Sequence, residues 1–316
     1  MTAALRIAFI AVAVGLLVYA LVSQWGSIHR ALARMGPLAV VGSLAAAMLG
    51  LFFSALCFRA LLTELGNRLP LPATLRVFFL SQVGKYLPGS VWPLLAQVEL
   101  GRDLGVPRQR SATAGVLFLG LNPLTGLIVA AATLPLVSPD AARHYLWALA
   151  VVPIGLAVLH PRVLNPALRQ AFRLIRRPPL ERPLRAAGLA RAAGWLFVMW
   201  LCYGLSVLAL AGPLGIRGGE SFLVSTGAYA LAWSAGFLVV IAPAGLGVRD
   251  AALVLTLSPV MSVGSATAVA AVSRVVQTAG DGLWALAAGA LHAKARLRRE
   301  TAGTTTATES EGPPGA

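Results

Sequence analysis

Residues 73–100 read ATLRVFFLSQVGKYLPGSVWPLLAQVEL. Both ends are apolar enough for helices inside a membrane. The middle is not: Gly84-Lys85-Tyr86-Leu87-Pro88-Gly89 puts a lysine, two glycines and a proline into six residues. Proline and repeated glycine interrupt a helix. At membrane depth a broken backbone is tolerated only where protein or a watery cavity covers its freed amides and carbonyls. The stretch therefore reads as a helical hairpin that enters the membrane and turns back. Residues 220–259 read the same way, broken at Pro243-Ala244-Gly245-Leu246-Gly247-Val248-Arg249-Asp250.

The composition says why a membrane is the setting. The 316-residue chain is 58% hydrophobic and 12% charged, about half the charge of an ordinary globular domain, and its mean hydropathy is +0.78. Five stretches (7–28, 35–58, 111–139, 192–216 and 221–248) contain no charged residue, and each is longer than the roughly 20 residues that span hydrocarbon as a helix. These features exclude a soluble enzyme and a disulfide-stapled domain. The two cysteines, Cys57 and Cys202, lie in apolar runs and read as packing residues. The net charge of +15 reads as arginine gathered at membrane edges, with no nucleic-acid partner.

Helices are expected at 5–24, 37–63, 110–136, 144–160, 191–212 and 263–291. With the hairpins they make an all-α polytopic membrane protein of six to eight transmembrane helices plus one or two re-entrant hairpins. Residues 1–292 form a single transmembrane domain. Its halves, 1–140 and 141–292, would be related as an inverted repeat if each crosses three times. Residues 293–316 are basic and then, from composition, disordered. With the N-terminus inside, eighteen Lys and Arg fall on inside segments and four (Arg30, Arg34, Arg143, Arg217) outside. That bias places both termini in the cytoplasm of a cell-membrane protein. The cytoplasmic loop 161–191 carries eight arginines against one acid, Glu181. It is expected to lie on anionic headgroups, unless it serves only to fix topology.

Ionisable residues inside a membrane are costly and are functional candidates by default. Lys85 sits between Gly84 and Gly89, where a bare backbone approaches a ligand closely. Amides freed from a helix attract anions, and a lysine beside them favours phosphate. A snorkelling hairpin tip is the plainer reading. Gly245-Leu246-Gly247-Val248-Arg249-Asp250 opens a half-helix. Arg249 is suited to hold phosphate through two parallel hydrogen bonds, and Asp250 to cap the half-helix or pair with a cation; an interfacial Arg249–Asp250 anchor is the alternative. In the last helix Arg274, Gln277 and Asp281 share one face. Arg274 and Asp281 are about 10 Å apart, too far to pair, so each needs a partner elsewhere: Lys85, Glu99 or Asp250. Gln82 and Asn122, the latter before a helix-interrupting Pro123, would line the same path as these three. An inter-helix structural network explains them equally.

The motifs SQVGKYLPGSVW (81–92) and APAGLGVRDAAL (242–253), with the spans around them, resemble the lysylphosphatidylglycerol synthase transmembrane region family of flippase-like membrane proteins. Asp250 stands where members often carry Glu. In bifunctional relatives this region is fused to an aminoacyl-transferring domain, which is not expected in this sequence. The resemblance thus implies the lipid-translocating half, with Lys85 and Arg249 lining a lipid-headgroup cavity and Asp250 beside them; Gly84, Tyr86, Gly89, Gly245 and Gly247, which flank them in the two motifs, are the further candidates for contact with the headgroup. The expected ligand is an anionic phospholipid or a polyprenyl-phosphate carrier.

No Walker A, HExxH, G-x-S-x-G or zinc cluster occurs, so no cofactor is expected. A membrane-embedded transferase or an accessory subunit of a lipid or glycan pathway is the rival reading. Glu99, Asp250 and Asp281 offer it carboxylates without a triad. A third reading makes 161–191 the docking site of a cytoplasmic biosynthetic partner. A homo-oligomer is compatible with all three.

Overall fold

The computed structural model describes residues 33–86, 91–136, 149–174, 176, 180, 183–216, 218–238 and 247–310, with 291–310 as helix backbone alone. Among them every regular element is helical. We number the α-helices α1 Pro37–Glu64, α2 Leu71–Gln82, α3 Trp92–Arg102, α4 Arg108–Thr133, α5 Val151–Leu159, α6 Pro161–Leu174, α7 Ala186–Ala211, α8 Ser221–Leu238, α9 Val248–Leu257 and α10 Val263–Ser310. The helix expected at 5–24 lies outside the described residues.

Among the described residues four helices are long and apolar enough to cross a membrane: α1, α4, α7 with the 3-10 turn that extends it to Leu214, and α8. The bent pair α5–α6 makes a fifth if it counts as one span. These apolar helices are those of a multi-pass membrane protein. Residues 263–291, expected as a span, fall within α10, which is not one of the four; Arg274, Gln277 and Asp281 lower its hydropathy.

The bundle centres on α1 and α7, whose close approach depends on small residues. A Cβ at Gly50 would lie 2.6 Å from the Tyr203 ring, and Ser43 and Ser206 share a hydroxyl–hydroxyl hydrogen bond of 2.8 Å. Lipid is as apolar as leucine, so membrane helices associate through such packing and polar contact rather than through the hydrophobic effect. α1 ends in a Schellman-type turn: Asn67 N–H returns to the Leu62 carbonyl at 2.9 Å, and Gly66 takes the positive φ of +87° that the turn requires.

α10 lies against α1, α2 and α9, and α4 lies against α8. Each expected hairpin is a pair of helices packed side by side across a break, α2 with α3 and α8 with α9. Three expectations change. Asn122-Pro123 does not interrupt α4, which runs through Pro123; neighbouring groups cover the site, Ser234 on α8 donating to the Pro123 carbonyl at 3.3 Å. The 161–191 segment opens with helix α6, because Pro161 starts a helix without cost. The 293–316 tail, expected to be basic and then disordered from Thr301, continues the backbone of α10 as far as Ser310; extending an existing helix avoids the nucleation penalty.

Candidate functional site

One stripe of α10 carries Arg274, Gln277, Thr278 and Asp281, and the last three are buried. Trp284, one turn beyond, orients this stripe. Its ring stacks on Phe79 of α2 at 4.6 Å and on Phe52 of α1 at 6.0 Å. Its indole N–H donates to the Met48 carbonyl at 3.0 Å. Both broken helix pairs reach this stripe.

The first arrives through the 3-10 turn Val83–Tyr86 that ends α2. Lys85 Nζ lies 2.6 Å from Asp281 Oδ2, and the Tyr86 hydroxyl donates to the same oxygen at 2.6 Å and lies 3.5 Å from Thr278 Oγ1. The Asp281 side chain is 5% exposed and that of Lys85 32%. Asp281 Oδ1 is buried without a hydrogen-bond partner among the described residues. The turn can form only around a glycine: a Cβ at Gly84 would lie 2.9 Å from the Pro93 backbone nitrogen, on the facing arm.

The second arrives through α9. Gly247 precedes it with φ +83°, and Asp250 Oδ2 reaches back to the Gly247 N–H at 3.2 Å, half of a capping box. The same carboxylate takes the Arg274 guanidinium in a two-point contact, Nε to Oδ1 at 3.0 Å and a terminal nitrogen to Oδ2 at 2.7 Å. Arg249 makes a different contact. Its guanidinium donates to the Tyr229 hydroxyl at 2.8 Å and stands 4.9 Å from the Tyr229 ring centre. Gln277 donates to that hydroxyl at 2.5 Å. Arg249 is 9% exposed, and among the described residues no carboxylate stands within ion-pair distance of it.

Gln277 and Asp281 are one turn apart, about 6 Å along the axis. The Arg249–Tyr229–Gln277 and Lys85–Tyr86–Asp281 groups are therefore neighbouring rungs of one polar seam. The seam gathers nine sequence candidates: Gly84, Lys85, Tyr86, Gly247, Arg249, Asp250, Arg274, Gln277 and Asp281. Of the three partners expected for Arg274 and Asp281, Asp250 and Lys85 are used. Glu99 instead meets Arg102 and Arg108. Gln82 is half-buried on α2 and takes no part in the seam. Asn122 is buried on α4 with its Oδ1 unpartnered among the described residues, and is not joined to the seam. Gly89 and Gly245 lie outside the described residues.

Sequence reasoning passed over Tyr229 and Thr278. Tyr229 is 1% exposed, and a buried tyrosine hydroxyl needs a polar partner. That requirement was the available signal. Among the described residues no three His, Cys, Asp or Glu side chains converge as metal ligands. The seam holds three cations, Lys85 and Arg274 ion-paired and Arg249 not so among the described residues, beside two carboxylates: an arrangement suited to holding an anion. The sequence family described as "Lysylphosphatidylglycerol synthase TM region" matches residues 4–285. No curated protein matches the sequence.

Proposed function

The chain belongs to the lysylphosphatidylglycerol synthase transmembrane region family, and on that premise we propose that it binds the phosphate of an anionic phospholipid or polyprenyl-phosphate carrier and moves the headgroup across the cell membrane. The observation that carries this reading is Arg249: a buried guanidinium held by a tyrosine and, among the described residues, by no carboxylate. A buried cation without a counter-ion is costly, and a phosphate on its remaining N–H groups would relieve that cost through charge-assisted bonds.

Lys85 supplies the second contact by exchange. The incoming phosphate competes with Asp281 for the ammonium, and Tyr86 stays on the carboxylate. When the headgroup leaves, Asp281 recaptures Lys85. Gln277 fixes Tyr229, and Arg274–Asp250 holds the second hairpin in place while the first exchanges partners. In this proposal both termini are cytoplasmic, the chain makes six to eight spans with one or two re-entrant hairpins, and its two inverted halves open alternately to the two sides.

The test is a headgroup-flip assay in proteoliposomes with fluorescent phosphatidylglycerol. Wild type moves the probe faster than protein-free vesicles, and Lys85→Ala and Arg249→Ala slow it. If both variants flip lipid at the wild-type rate, the seam is not the headgroup site.

A further inference from the structure

Helix α6 divides its surface three ways. At 3.6 residues per turn, Pro161, Leu164, Asn165, Leu168 and Phe172 form one strip, all buried or half-buried. Leu164 and Leu168 pack against the apolar core. Val163, Ala167, Ala171 and Leu174 form a second strip, apolar and exposed, with Val163 at 47% and Leu174 at 75%. Arg162, Arg169 and Arg173 form the third, exposed and basic.

A helix on a solvated loop needs two faces, one toward protein and one toward water. A strip of exposed valine and leucine beside a strip of arginine calls for hydrocarbon and anions along the same helix. The membrane–water boundary supplies both. The placement agrees. α5 exposes Ile154, Leu156 and Val158, as a lipid-facing helix does, and α6 leaves it at 62°, turning away from the direction of that helix. The Asn165 amide then clamps α6 beside the start of α7, donating to the Leu184 carbonyl at 3.0 Å and accepting the Leu184 N–H at 2.9 Å. The clamp leaves the apolar and basic strips uncovered, with Arg176 and Arg185 also exposed nearby in sequence.

We propose that α6 is an interfacial helix that docks on an anionic lipid leaflet. Its Val163-Ala167-Ala171-Leu174 strip sinks to the acyl boundary, and Arg162, Arg169 and Arg173 sit on lipid phosphates. The inference stands on α6 alone and is independent of the translocation reading.

The test uses the full chain in nanodiscs of equal parts phosphatidylglycerol and phosphatidylcholine. A nitroxide on Ala167→Cys meets oxygen dissolved in lipid more than a water-soluble nickel chelate, and one on Arg169→Cys shows the reverse. Spin-labelled phosphatidylglycerol associates with the protein in preference to spin-labelled phosphatidylcholine. The triple variant Arg162→Gln/Arg169→Gln/Arg173→Gln reduces that preference at least about fivefold, the worth of a single arginine at the surface; the triple Lys variant keeps it, and high salt weakens it. A chelate-accessible Ala167 label overturns the proposal and points to a protein partner on this face. A preference unchanged in the triple Gln variant overturns it as well.

Discussion

The two broken helix pairs meet the same stripe of α10 with opposite polarity. The first hairpin brings a cation, Lys85, to the helix's anion, Asp281. The second brings an anion, Asp250, to the helix's cation, Arg274. The second contact is two-point and includes the backbone of Gly247; the first rests on one oxygen while the other goes unpartnered among the described residues. The difference separates two jobs. The Arg274–Asp250 contact is built to stay, and because Asp250 goes to Arg274, Arg249 is left with no carboxylate among the described residues. The Lys85–Asp281 contact is built to exchange.

The largest expected effect falls on the contact that stays. Arg274→Ala strands Asp250 in a mostly buried setting, and loss of one partner of a buried pair costs about 3–5 kcal/mol. Thermal unfolding in detergent should show it, with Asp250→Ala similarly damaging. If Arg274→Ala unfolds like wild type, the second hairpin does not depend on this pair and the contrast is lost. Arg249→Ala, one residue from Asp250, should do the reverse. It removes a buried cation that no carboxylate balances among the described residues, so stability holds or rises while headgroup flipping falls about a hundredfold, the worth of two charge-assisted bonds at about 1.5 kcal/mol each. Equal losses of stability in the two variants would erase the division of labour.

Much of this arrangement is legible in the sequence because charge inside an apolar chain is scarce. Helical spacing puts Arg274 and Asp281 on one face and too far apart to pair, which leaves few partners, and two of them are used. The glycine and proline clusters likewise mark both breaks. What stays hidden has a physical cause. Tyr229 belongs to an apolar run of small residues and reads as packing; only the tertiary approach of Arg249 and Gln277 gives its hydroxyl a role. The prolines at 161, 166, 178, 179 and 183 obscure α6, although Pro161 occupies a position a helix tolerates. Asn122-Pro123 misleads in the other direction, because neighbouring helices cover the break that proline would make in water.

The hairpins also differ in what closes them. A Cβ at Gly84 would meet the Pro93 backbone nitrogen at 2.9 Å, whereas one at Gly236 would meet the Arg249 Cβ at 2.8 Å. A backbone cannot swing aside, so Gly84→Ala should pry α2 from α3 at a cost of about 2 kcal/mol, typical of overpacking. Gly236→Ala presses on a Cβ that moves only with its backbone, so it should shift α9 at Arg249, slowing flipping as well as lowering the unfolding temperature. Both readouts on both variants sharpen the comparison, and a Gly84→Ala protein as stable as wild type would show that the first pair of arms has slack.

The smallest expected effect tests exchange itself. Asp281→Asn keeps the shape of the side chain and removes the charge that holds Lys85. Lys85 loses its competing anion, so binding of phosphatidylglycerol to the purified protein should tighten, by about tenfold if the carboxylate contributes near 1.4 kcal/mol to the competition. Turnover moves the other way, because nothing recaptures Lys85 when the headgroup must leave. Asp281→Glu, which restores the charge on a longer arm, should recover part of both. A merely structural aspartate would lose binding and turnover together. Opposite signs in the two measurements therefore separate an exchanging partner from a brace, and losses of both would return the first hairpin to the same class of contact as the second.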